Sequence, residues 1–379
     1  MLTSYFRGTV FREWEFNHQG NHLSEKKPQP QKPADTLVPQ SQIKIASFNL
    51  FNYLEPPNAF YEFQRIYSAQ QWRKKQQWIV DYLKAHQPDV IGFQEVFSPD
   101  ALKVLLAGQG YPYFHVVDQP QVADDFIYSH PVVAIASRYP VAEAASVVPD
   151  AELAKTMGLK AGFAFSRKVL RATVDLPHMG LCDCYVVHFK SKRPLFEYEP
   201  AKALSAEKNT LEQLKAQVAG GWGAAIQRGS EAALLFVEMI SRRELSGLPM
   251  ILMGDFNNSL AQEELVFLIT KTLRADTVEG GEVYLEKYCL QDAWDMFQAL
   301  AKSRGKAEPI RQSSHYYGAK GSVLDYILLS REFDAGYQLS LFEVSGYETY
   351  DRHLINPIFD RDGESSDHGI LLVTLTLRE

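Results

Sequence analysis

The chain has 379 residues, 46% of them hydrophobic, 12% aromatic and 22% charged, a globular composition that excludes a wholly disordered, collagen-like or coiled-coil protein. A formal charge of −7 argues against a protein that holds nucleic acid by a general positive field, although residues 160–193 carry seven basic side chains against two acidic ones. The 3 cysteines make no disulfide framework, no apolar run approaches a membrane span, and Arg7, Arg12, Glu13 and Glu15 interrupt the N-terminus, so a cytoplasmic protein is expected.

Residues 1–42 read as an N-terminal extension and linker: 17–42 hold Pro28, Pro30, Pro33 and Pro39 with little apolar content. Tyr5, Phe6, Phe11, Trp14 and Phe16 leave open a docked strand before the linker. From Ile43 onward, strand-length apolar segments alternate with helical patterns, the look of an α/β domain over residues 43–379. The first strand is expected at 43–50; a helix with Trp72, Ile79 and Leu83 on one face follows and ends at Pro88, before a strand at 90–93. Further strands are expected at 132–137, 169–176, 182–189, 250–253, 323–329 and 370–377. Residues 196–228 read as an insertion broken at Gly220-Gly221-Trp222-Gly223, followed by an apolar helix stripe at Ala232, Leu235, Phe236, Met239 and Ile240.

Short polar clusters stand where these strands begin or end, the usual place for a site in an α/β fold. They supply the amides of Asn49 and Asn257, the carboxylates of Glu95, Asp255, Asp325 and Asp367, and the imidazoles of His188 and His368. So oxygen-rich a set suits Mg²⁺ or Mn²⁺ better than zinc.

In order, the clusters are SFN (47–49), QE (94–95), SRYP (137–140), VHFKS (187–191), GDFNNS (254–259), SVLDYILLS (322–330) and SDHG (366–369). This ordered set resembles the endonuclease/exonuclease/phosphatase family from about Ile43 to the C-terminus. The resemblance implies a DNase I-like, four-layer α/β/β/α sandwich and metal-dependent phosphoester hydrolysis. By the same resemblance Asn49 and Glu95 are the metal pair, with Asp367 beside the metal or the attacking water. Asp255 would orient and deprotonate that water, Asn257 would steady it, and Asp325 would orient His368 against the scissile phosphate. His188 matches the DNase I-like and phosphatase members, where it serves the leaving oxygen, rather than exonuclease III-type members, which carry a tyrosine. One departure is Ser322, where many members place an arginine.

Arg171, Lys190, Lys192 and Arg193 are expected to form a positive rim for flanking phosphates, and Tyr316, with Tyr317, to stack a base or sugar. The preferred reading is a monomeric nuclease acting on DNA or RNA, with no protein partner inferable. A phosphatase or phosphodiesterase of a small phosphoester, an inositol phosphate or a phospholipid head group is the first alternative, and a non-catalytic binding module the second.

Overall fold

The computed structural model describes residues 41–272 and 285–378, so the extension and linker expected over residues 1–42 fall almost wholly outside the described residues. Strand β1 (Gln42–Tyr53) shows how the layers arise. Side chains alternate along a strand. Ile43 and Ile45 therefore enter one core, while Ala46, Phe48 and Leu50 enter another beneath helix α1 (Ala69–His86). That helix starts in a capping box, in which Ser68 Oγ accepts from Gln71 N–H (3.2 Å) and Gln71 Oε1 accepts from Ser68 N–H (2.9 Å). It ends at Gln87 in the left-handed region, immediately before Pro88.

The main elements that follow, in chain order, are β2 (Val90–Val96), α2 (Pro99–Ala107), β3 (Tyr113–Val116), β4 (Val132–Ser137), β5 (Val141–Ser146), β6 (Leu170–Leu176) and β7 (Gly180–His188). After these come α3 (Ala206–Ser246), β8 (Met250–Asp255), β9 (Leu290–Asp292), α4 (Ala293–Ser303), β10 (Asp325–Ser330), β11 (Phe342–Tyr350) and β12 (Ile370–Leu377). The strands form two six-stranded sheets, ordered β11, β12, β1, β2, β4, β3 and β9, β10, β8, β7, β6, β5. Ile45, Val90 and Ile135 of the first meet Ala172, Val186 and Met253 of the second. The outer face of the first is covered by Trp72, Trp78 and Ile79 of α1, and that of the second by Ala232, Leu235 and Met239 of α3. The fold is thus the expected α/β/β/α sandwich.

Helix α3 corrects one expectation. It runs unbroken for 41 residues through the glycine cluster that was expected to interrupt it. Gly220 is there for contact: a Cβ would lie 2.8 Å from Phe196 O and from Pro194 Cβ. Trading helix propensity of about 1 kcal/mol lets the preceding loop lie directly on the helix. No helix among the described residues is long and apolar enough to cross a membrane.

Pairing directions gather the polar clusters at one edge of the sandwich. β1 runs parallel to β2, and β7 parallel to β8, so their C-terminal ends lie together. β10 is antiparallel to β8 and β12 antiparallel to β1, so the starts of β10 and β12 arrive at the same edge.

Candidate active site

The site is built around Asp255, the last residue of β8 and 1% exposed. Gly254 makes the approach possible: its φ is 148°, and a Cβ there would lie 2.0 Å from Val187 O, so only glycine lets β8 close on β7 at this point. Pairing then sets Asp255 beside His188 on β7 and Asp325 on β10. Asp255 Oδ1 accepts from Asn257 N–H (2.7 Å), and Oδ2 accepts from the amides of Asn49 and Asn257, both at 3.3 Å. His188 Nε2 lies 3.4 Å and His368 Nε2 3.8 Å from that same Oδ2.

The two histidines are driven apart electrostatically. His368 Nδ1 lies 2.9 Å from Asp325 Oδ2, which also accepts from Ser314 Oγ (2.6 Å). Burial opposes charge on His368, but Asp325 and Asp255 outweigh it and hold its pKa well above the usual imidazole range. His188 has no facing carboxylate strong enough to offset burial, and burial together with Arg167 holds it well below that range. A cationic imidazole and a neutral one therefore flank one carboxyl, whose own pKa burial pushes up to about 7, with Asp325 adding and His368 opposing.

Glu95 reaches the cleft by breaking the alternation of β2. Phe93 enters the core under α1, so a regular strand would send Glu95 the same way. At Glu95 the register shifts and φ is 60°, a left-handed conformation costing roughly 1 kcal/mol that turns the side chain toward the cleft. Its Oε2 accepts from Asn52 N–H (2.9 Å), and burial with the nearby Asp367 raises its pKa. Asp367 Oδ1 is shielded from solvent with no hydrogen-bond partner among the described residues. The carboxylates of Glu95 and Asp367, with Asn49, are donors that fit a hard divalent cation, and the unpartnered oxygen is one that such an ion would satisfy. His315, Asp367 and His368 also present ligand atoms within 4.8 Å of one another, as do Asp255, Asp325 and His368.

Glu95, His188, Asp255, His315, Asp367 and His368 face a cavity of about 780 Å³. Arg167, Lys192 and Arg193 make one wall, and Phe51, Tyr61, Tyr67 and Tyr317 are aromatic lining. A hollow of about 750 Å³ between α1 and α2 collects none of these groups.

The structure brings together Asn49, Glu95, His188, Asp255, Asn257, Asp325, Asp367, His368 and Lys192, but not three other expected residues. Arg171 lies on the outer face of β6, because Leu170 and Ala172 take the inner one, and pairs with Glu143 (2.8 Å) and Asp183 (3.4 Å). Lys190 Nζ folds back to donate to Arg193 O (2.8 Å). Tyr316 OH donates to Asp351 Oδ2 (2.9 Å), and its neighbour Tyr317, 86% exposed, lines the cavity instead. Arg171→Ala is accordingly expected to lower the melting temperature modestly, by removing one of the two arginines that face buried Asp183 while Arg242 (2.9 Å) stays, with KM unchanged; thermal unfolding and steady-state kinetics together check this.

Reading the sequence missed Arg167, His315 and Lys75. Lys75 left a signal: it sits three residues after Trp72 and four before Ile79, a charge on an apolar stripe. It is 1% exposed, its Nζ donates to Ser365 O (3.1 Å) beside Asp367, and burial lowers its pKa to about 8 against Asp367 and Glu95.

Fold and cleft together define a DNase I-like protein. The sequence matches the endonuclease/exonuclease/phosphatase family over residues 46–368, and the chain belongs to that family of phosphoester hydrolases, typically dependent on divalent metal. The catalytic domain of human Nocturnin, solved with a bound sulfate anion, superposes with a TM-score of 0.52 at 16% identity, covering 89% of this chain and 95% of that one. A family member from Bacteroides vulgatus gives 0.49 at 15%, covering 89% and 100%. D. rerio TDP2 with a single-strand DNA product gives 0.47 at 14%, covering 89% and 99%. At 16% identity the Nocturnin likeness shows the fold. No curated protein matches the sequence.

Proposed function

We propose that the chain is a divalent-cation-dependent phosphodiesterase of nucleic acid that breaks a P–O bond by in-line attack of water. The observation that supports this best is the single carboxyl of Asp255 held between a cationic and a neutral histidine in a cleft with a cationic wall. Asp255 accepts the proton of the attacking water, which the Asn257 amide steadies. His368, kept protonated by Asp325, donates to a non-bridging phosphoryl oxygen as negative charge grows there. Neutral His188 donates a hydrogen bond to the departing oxygen. Asn49, Glu95 and Asp367 would hold Mg²⁺ or Mn²⁺, which when bound neutralises charge on the phosphoryl group. Arg167, Lys192 and Arg193 hold the flanking phosphates, and Tyr317 offers a base a face to stack on.

The second reading, a small phosphoester, draws support from Arg171 and Lys190 being turned away, which leaves a shorter positive rim. Hydrolysis of plasmid DNA, RNA and bis-p-nitrophenyl phosphate, measured side by side with Mg²⁺ or Mn²⁺, tests the proposal. Cleavage of a polynucleotide is expected; turnover of the small diester alone would select the second reading, and silence on all three would overturn the nuclease and favour a phosphomonoester substrate or a non-catalytic binding module. Chelation should abolish activity and added Mg²⁺ restore it, while Glu95→Gln should raise the metal concentration for half-activity by roughly 100-fold or more, read from a metal titration. Lys192→Ala should weaken polynucleotide binding and flatten its dependence on salt by about one unit of slope. An unchanged slope would take Lys192 out of the phosphate contacts.

A further inference from the structure

We infer that Glu231 is the positioning residue of the cationic wall: one carboxylate on α3 ties the loop that carries Arg167 to the loop that carries Lys192 and Arg193. The inference rests on the anion-binding role proposed for that wall. Antiparallel pairing between β6 and β7 ends at Leu170 and Val186, so beyond that pair no ladder joins the chain before β6 to the chain after β7. Both cation-bearing loops lie in that unladdered region.

Glu231 bridges them. It is 1% exposed and lies next to Ala232 of the core over the second sheet. Its Oε1 accepts from Ser166 N–H (2.6 Å), the residue before Arg167, and its Oε2 accepts from Lys190 N–H (2.7 Å), two residues before Lys192. Gln227, one turn earlier, donates to Glu231 Oε1 (3.0 Å) and to Ala164 O (3.0 Å), a second tie to the Arg167 loop. Arg228, 4% exposed, donates through Nη1 to Lys190 O (3.0 Å) and through Nε to Glu264 Oε1 (3.0 Å), which also accepts from Asn258 amide (2.8 Å). A single helical turn thus holds both cationic loops and, through Glu264, the loop that follows Asp255.

A buried carboxylate is costly unless fully hydrogen-bonded, and an apolar side chain would serve packing alone. What a carboxylate adds here is two acceptors aimed at two backbone donors on different loops. It fixes the spacing of Arg167 from Lys192 and Arg193 before an anion arrives, so their ordering entropy is not charged to binding. The role lies in substrate grip, through other residues, and not at the reacting atoms.

The test uses the full chain with Glu231→Gln and Glu231→Ala. Amide hydrogen exchange over residues 160–170 and 189–196 reads the clamp without substrate. Calorimetric titration with inorganic phosphate reads the wall, and steady-state kinetics on whichever substrate the wild type cleaves separates KM from kcat. Glu231→Ala is expected to speed exchange in both segments, and Glu231→Gln, with one acceptor oxygen left, in one of them. Phosphate affinity should fall and KM rise by roughly 10- to 100-fold for Glu231→Ala and by less for Glu231→Gln, with kcat within about threefold of wild type. In the Glu231→Ala background, Arg167→Ala should add less than it costs alone. Faster exchange with unchanged KM and phosphate affinity would leave Glu231 a packing residue, and unchanged exchange would remove the clamp. If Glu231→Ala does not fold, Glu231→Gln, of equal volume, carries the test. A wild type that cleaves nothing would overturn the proposed function, while exchange and phosphate titration would still decide the clamp.

Discussion

Asp255→Asn is expected to lower kcat by about three to four orders of magnitude while the melting temperature stays within a few degrees of wild type. The substitution is nearly isosteric and keeps an oxygen for the bond from Asn257 N–H. It removes a charge that is desolvated and stands near the Asp325 and Glu95 carboxylates, both of which raise its pKa. His368 keeps Asp325 as a partner, so no buried cation is stranded. A residue that is a burden to the fold and central to the chemistry should show this split between activity and stability. Rates of phosphodiester cleavage and thermal unfolding of the purified variant check it. Turnover within tenfold of wild type would remove Asp255 as the base, and loss of activity together with loss of the folded state would show instead that Asp255 holds the sheet edge together.

Much of the site could be read from sequence because strand ends repeat a simple rule. His188 and Asp255 are each the polar residue on which an apolar strand ends, and parallel pairing brings those ends together without further information. The parity of a strand is equally legible once the strand is located, and it turns Arg171 away from the site. Leu170 and Ala172 face the inner core, so Arg171 must face outward, where Glu143 and Asp183 await it. Other features depend on contacts distant in sequence. The left-handed turn at Glu95 is set by its place between β1 and the cleft, and nothing in VIGFQEV announces it. The glycine cluster at 220–223 has the composition of a break, but the close approach of Pro194 and Phe196 gives it a different use. Arg167 lacks any local signal, because the groups that hold its loop lie on α3, more than sixty residues away.

The His368 and Asp325 pair should act as one unit in both activity and stability, with opposite signs for the second substitution. His368→Ala alone is expected to cost roughly a thousandfold in kcat, since it removes a donor aimed at developing negative charge. Asp325→Asn alone should cost less than His368→Ala, because the imidazole remains but loses the partner that keeps it protonated and oriented. The double substitution should be no slower than His368→Ala, since Asp325 has nothing left to orient. Stability should move differently. His368→Ala leaves the Asp325 carboxylate 1% exposed, with Ser314 Oγ on one oxygen and no partner among the described residues on the other, a stranded buried charge worth about 3–5 kcal/mol of destabilisation. Adding Asp325→Asn removes that charge and should recover most of the lost stability while recovering no activity. Kinetic and thermal double-mutant cycles on the same four proteins measure both. Additive losses in kcat would mean that Asp325 acts on the reaction by some route other than His368, and the oriented, cationic histidine would have to be withdrawn from the mechanism.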